Sequence, residues 1–260
     1  IDFVDPICGD APNLGANDGA YCYALHNMPF RDFRPTLQLS SKILTGKFIY
    51  GEGPWNESFS WLNIKCNFID FSDIVYKKIS VYKDGGYVVI RPSLKTWSLL
   101  KLPIYKFRPS QADPLHFDLW HDGNNILKDA GSYSYHCNRK DFNYFSGVES
   151  HNTVQFDNEQ PMNRISRFLW NNWLKLDSSL EIKDNETNLS IGASYSCNHG
   201  RHKRTIMVNS DGLKWEITDE IMSHKRKATI RWRLSNDNWI LDGLTLKSSL
   251  AKIRIKENIS

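Results

Sequence analysis

Apolar and polar positions change their rhythm near Ile74. From there Val75, Lys77, Ile79 and Val81 alternate with Tyr76, Lys78, Ser80 and Tyr82, the period of two that a strand imposes by turning successive side chains to opposite faces. Lys83-Asp84-Gly85-Gly86 then supplies a turn into residues 87–91, so the stretch predicts a β-hairpin. Further strands are expected at 115–121, 126–129, 152–156, 167–175, 189–196, 202–208, 212–221 and 228–234, separated by Gly, Asn and Asp turns. Many short strands of this kind predict mainly antiparallel, packed sheets. The first sixty residues are less regular: residues 12–19 are a run of turn formers, and a Gly/Pro-rich break covers 46–54. Between these lie two expected short helices, at 20–26 and 35–44, the second with Leu37, Leu39, Ile43 and Leu44 partly on one side.

Composition adds a core and removes some partners. Of 260 residues 40% are hydrophobic, enough for a sizeable interior, and nine Trp, eleven Tyr and thirteen Phe suit strands that pack rings across neighbours or leave them for sugar faces. The net charge is only +4, without a long Lys/Arg tract or a zinc-finger or RNA-binding motif. Nucleic acid is therefore not an expected partner, while weak attraction to polyanions such as uronic-acid chains stays open. Cys8, Cys22, Cys66, Cys137 and Cys197 lie far apart, and their odd number does not fix a redox compartment. No apolar stretch reaches the roughly 20 residues that span a bilayer.

His116, Asp118 and Trp120 stand two apart, so a regular strand beginning near Leu115 would show all three on one face and send Phe117 and Leu119 to the other. Such a row makes a candidate site, with His116 as base, Asp118 orienting it and Trp120 stacked on a sugar ring. In the plainer reading His116 and Asp118 bond to one another and Trp120 covers core. Tyr133 and Tyr135 could flank a substrate channel or pack between strands. Arg164 and Arg167 could recognise carboxylate or sulfate through paired donors, or stay solvated. His199, Arg201, His202, Lys203 and Arg204 form a basic patch in which His202 is the candidate substrate contact, against a solvated strand mouth as the alternative.

Taken in order, Leu115-His116-Phe117-Asp118-Leu119-Trp120, then Asp129-Ala130-Gly131-Ser132-Tyr133-Ser134-Tyr135, then His151-Asn152-Thr153-Val154 resemble the carboxyl-terminal portion of heparinase II/III-like polysaccharide lyases, particularly a branch associated with bacterial surface polysaccharides. The resemblance implies an antiparallel β-sandwich over residues 71–260, preceded at 1–70 by a helical and loop segment resembling the tail of an α/α toroid. It implies an acidic, uronic-acid-containing polysaccharide as partner, a periplasmic or secreted location, and an upstream helical toroid domain of the same protein that supplies further catalytic groups. The implied reaction is β-elimination: a base removes the C5 proton beside the carboxylate, another group stabilises the growing charge, and an acid protonates the departing oxygen. The alternative is a non-catalytic carbohydrate-binding or polysaccharide-assembly domain.

Family lyases carry a His-x-His-x-Asp pattern before this strand, the first His catalytic and the second a zinc ligand. With Asp113 held in register, those positions fall here on Pro109 and Gln111. Asp129 and His151 match the other zinc positions, but glutamine is a poor substitute for imidazole at zinc. Zinc through Asp129 and His151, closed by Gln111 or His116, is thus open but not favoured. Gln111, Asp113, Asp129, His151 and Asn152 are expected instead to form a metal-free hydrogen-bonded network, with Asn152 anchoring the adjacent turn.

Overall fold

The computed structural model describes residues 26–29, 32–67, 70–71, 76–106, 109–131, 133, 137–167 and 169–256. They fall into two compact units, residues 1–77 with 131–143, and residues 78–130 with 144–260.

In the first unit α1 (Arg34–Thr45) has a proline in its opening turn and ends on Gly46, whose φ of 73° is the left-handed stop that glycine adopts without strain. The expected Leu/Ile side is not its inward face. Pro35, Gln38 and Ser41 are buried, whereas Ile43 and Leu44 are 61% and 77% exposed. Gln38 supplies the reason: its Oε1 accepts the N–H groups of Ile49 and Tyr50, and its Nε2 donates to the Tyr50 carbonyl. An irregular backbone that needs partners turns the helix by its polar side. A short α2 (Glu57–Trp61) follows, with no counterpart in the sequence pattern. The helix expected at 20–26 lies, up to residue 25, outside the described residues. At the start of α3 (Arg139–Ser146), Asn138 Oδ1 accepts the Asp141 N–H and caps the first turn.

The second unit is built of antiparallel sheets. One has five strands in chain order: β1 (Ile79–Tyr82), β2 (Tyr87–Ile90), β3 (Thr96–Lys101), β4 (Phe117–His121) and β5 (Asn124–Leu127). The predicted hairpin is β1–β2, in register from Ile79↔Ile90 to Tyr82↔Tyr87. The strand β3 carried no alternation because nearly all of it is buried on both faces, which erases the period of two. After β6 (Val154–Phe156), β7 (Asn163–Ser166) and β8 (Leu169–Asn171), a second sheet forms in the order β12-β11-β10-β9. Its strands are β9 (Glu181–Asp184), β10 (Asn188–Cys197), β11 (Gly200–Asn209) and β12 (Trp215–Met222). Small sheets complete it: β6 with β13 (Ala228–Ile230), β7 with β8, and β14 (Ile240–Asp242), β15 (Thr245–Lys247) and β16 (Lys252–Arg254) together. One core draws Val88, Ile90, Leu100 and Phe117 from the five-stranded sheet and Ile191, Tyr195, Ile206 and Val208 from the four-stranded one.

Candidate functional site

The strand β4 begins at Phe117, two residues later than expected, because Leu115 has φ 56° and ends a turn closed by the bond from His116 N to the Asp113 carbonyl. A bulky residue with positive φ is costly and must be held from outside. Its side chain is fully buried, and its carbonyl accepts Nη1 of Arg204 at 2.6 Å. The turn delivers His116 inward, 4% exposed, beside Asp118 at 1%.

His116 Nδ1 accepts the backbone N–H of Asn152 at 2.9 Å, while its Nε2 lies 3.1 Å from Asp118 and 3.5 Å from Asp129. Burial lowers its pKa to about 3, so the ring is neutral. A backbone N–H can only donate, hence the single ring proton sits on Nε2 and points at the two carboxylates. His151 crosses this ring edge-on at 5.5 Å and holds Asp129 through Nδ1 at 2.5 Å. Burial opposes charge on His151, but the Asp129 carboxylate and its hydrogen bond, with Asp113 behind, outweigh it and raise its pKa. Asn152 ties the pieces together: Nδ2 donates to the carbonyls of Phe117 and Lys128, and Oδ1 accepts the Arg233 N–H.

The ligand-facing row expected of His116, Asp118 and Trp120 is thus a buried row. Trp120 is 8% exposed and stacks on Trp97 across the strand pair, 5.4 Å between centroids and 6° from parallel, so that face is taken by another indole rather than left for sugar. His202, too, is fully buried and bonds Asp219 through Nε2 at 2.7 Å. Arg164 lies over the Trp170 ring at 3.8 Å and donates to Ser146, while Arg167 is exposed in the turn after β7. Gln111 is half-buried, and Asp113 accepts the Tyr105 hydroxyl. Tyr133 is exposed, with φ 59°; Tyr135 lies outside the described residues.

Arg204, which the sequence placed in a basic patch, pairs instead with Asp219 and holds the site in place. Arg204, fully buried, grips Asp219 with Nε and Nη2 at 2.7 and 3.0 Å and extends Nη1 to the carbonyls of Leu115 and Asn152, both at 2.6 Å. Burial pushes the Asp219 carboxyl up, but Arg204 and the hydrogen bond from His202 hold it well below the usual range. The signal was present in phase. His202 and Arg204 alternate in step with Ile206 and Val208, and Asp219 with Trp215 and Ile217, while Arg204 and Asp219 are register partners.

These histidines set an acid sensitivity. Burial lowers the pKa of both His116 and His202 in the fold, whereas the unfolded chain takes up those protons near pH ~6.5. Their contribution is present above that pH and is lost as pH falls below it. His151, raised, contributes fully below ~6.5 and loses its contribution only at higher pH, so it does not alter the slope in acid. His116, with its pKa at about 3, is expected to cost about 2 kcal/mol by pH 5, and His202 adds a share of the same sign. His202→Gln, which keeps a donor for Asp219, is predicted to remove one such share, measured as the difference in urea midpoint between pH 7 and pH 5. An unchanged difference would contradict the assignment.

The sequence model described as heparinase II/III-like, C-terminal, matches residues 77–256. The chain belongs to this family. Among solved structures, the heparan sulfate lyase HepC from Pedobacter heparinus aligns with a TM-score of 0.60 at 15% identity, over 84% of this chain and 32% of that one. A heparinase III (BT4657 gene product) aligns with a TM-score of 0.56 at 17% identity, over 74% and 29%. The fold is shared, and the chain spans about a third of the length of these relatives. No curated protein matches it.

For a heparinase II/III-like chain the question of zinc follows. His116, Asp129 and His151 bring one ligand atom each within 4.8 Å of one another, a cluster capable of holding a metal ion. A metal-bound histidine gives a lone pair from one nitrogen and donates an N–H from the other. His116 has this reversed, since Nδ1 receives an N–H; Nε2 could face a cation only by shedding the last ring proton. His151 fits better, its Nε2 being buried without a partner among the described residues. Asp129 and His151 are the residues that would hold the ion, and His116 is a poor third donor, so zinc is not favoured.

Proposed function

We propose that this chain recognises an acidic, uronic-acid-containing polysaccharide and by itself holds the polymer without breaking it. Membership of the family and its resemblance to lyases support the substrate class. The observation that carries the binding role is His116: the imidazole that a shifted catalytic base would use is buried, neutral, and has its free lone pair occupied by Asn152. On this reading His116, Asp118, Asp129, His151 and Asn152 position the loops around β4. The two larger sheets are the layers of a β-sandwich over 71–260, and 1–70 is the end of a helical toroid.

A second reading is β-elimination by a longer protein with an upstream toroid, which is periplasmic or secreted. It is favoured by the relatives' length, about three times the span matched, and by the name of HepC as a heparan sulfate lyase. In that case His116 and Asp118 are the pair to test. Incubating the 260-residue chain with a panel of uronic-acid polymers separates the readings. Saturable binding without the ultraviolet absorption of an unsaturated uronate is expected; product that disappears in His116→Ala would overturn the binding role.

A further inference from the structure

Away from the buried histidines, the turn between β10 and β11 opens on a cavity of about 310 Å³. Its walls come from three stretches, around Asn163 at the start of β7, residues 172–177 after β8, and Ser196 to His199 at the hairpin. The volume sits at the small end of sites that take organic ligands, near that needed for one sugar ring. We propose that this cavity is a subsite for a single anionic sugar unit, a uronate or a sulfated hexose, of the polymer named above. The inference rests on that reading for the polymer, but on its own residues for the site.

Two features of the wall favour a pyranose. Trp173 is fixed rather than loose, because its Nε1 donates to the Trp170 carbonyl at 2.7 Å and its ring packs against the core. A held indole offers an apolar surface to a sugar at little cost in side-chain freedom. Around it stand Asn163, Asn172 and Asn198, all three exposed on the cavity wall. An amide both donates and accepts, which matches the hydroxyl groups of a sugar, whereas a purely apolar ligand would strand these groups. Asn172 is set in place by a left-handed backbone, φ 55°.

The charges decide the sign of the ligand. Asp177, the carboxylate on the wall, is already engaged by Arg201 Nε at 2.9 Å and by the Ser196 hydroxyl. Lys175 and His199 have no such partner among the described residues, and Lys175 brings an uncommitted positive charge to the rim. Glu159 lines a narrower recess that shares Pro161, Cys197 and His199 with the cavity, not the cavity itself. An acidic group at the Lys175 side therefore meets attraction without an opposing carboxylate. Carboxylate and sulfate share this chemistry.

The test titrates the 260-residue chain with glucuronic acid, glucose 6-sulfate and glucose, following tryptophan indole signals by NMR, with Trp173 assigned from Trp173→Phe. Lys175→Glu and Asn198→Ala are compared with the parent chain for these sugars and for a uronic-acid polymer, with thermal midpoints confirming that each is folded. The subsite is supported if at least one acidic sugar shifts the Trp173 signal, glucose binds more weakly, and Lys175→Glu loses roughly tenfold or more in affinity. It is overturned, with the polymer-binding role intact, if the parent binds polymer and both folded variants bind it equally well. It is overturned together with that role if the parent binds neither acidic sugar nor polymer. Equal binding of glucose and both acids overturns the anionic assignment.

Discussion

Replacing Arg204 with methionine is expected to lower the stability of the second unit by about 3 to 5 kcal/mol, the range for removing one partner of a buried ion pair. The side chain is fully buried and its guanidinium serves four acceptor atoms: both oxygens of Asp219 and the carbonyls of Leu115 and Asn152. Methionine fills much of the volume and supplies no donor, so Asp219 is left with only His202 and the strained turn at Leu115 loses its outside hold. For a domain of this size the loss corresponds to a fall in thermal midpoint of roughly 10 °C. The double variant Arg204→Met/Asp219→Leu removes the stranded charge and is expected to recover more than half of the loss. A double variant as unstable as the single would show that the carbonyl contacts, not the ion pair, account for the effect.

Asn152→Ala is the second large effect, about 3 kcal/mol. Its side chain satisfies three backbone groups, the carbonyls of Phe117 and Lys128 and the N–H of Arg233, in a site where Asn152 itself is fully buried. Each buried group left without a partner costs about 1 kcal/mol or more. Asn152→Asp is expected to fare worse, since it keeps only the acceptor for Arg233 and buries a charge. Urea unfolding checks both: the midpoint should fall with the slope unchanged, and a loss below about 1 kcal/mol for the alanine variant would show that the surrounding groups find other partners.

Alternation survives in β11 and β12, which face the core on one side. β2, β10 and β11 appear close to their expected bounds, whereas β1 begins only at Ile79 and β12 only at Trp215, later than the alternation from Val75 and the start expected at 212. The strand β3 was hidden by burial on both faces, and α1 faces inward by Gln38 rather than by its leucines because an unpaired backbone needed an amide. At the site, the spacing of His116, Asp118 and Trp120 suggested an exposed row, and all three are buried. Periodicity reports which residues share a face, not what covers that face, and here the cover is Trp97, His151 and Asn152. Arg204 and Asp219 were missed for a related reason. A charged residue in an inward phase is dismissed as solvated until its cross-strand partner is known, and that partner lies fifteen positions away in sequence.

On the proposed reading the imidazole beside β4 belongs to the fold and does not act as a base. Nitrogen-15 NMR of the histidine rings tests it most directly. His116 is expected to carry its proton on Nε2, to leave Nδ1 unprotonated, and to stay neutral as pH is lowered from 8 to 5, consistent with a pKa of about 3. A His116 ring protonated on Nδ1, or one that titrates near the ordinary ~6.5, would contradict it and return His116 to the role of catalytic base.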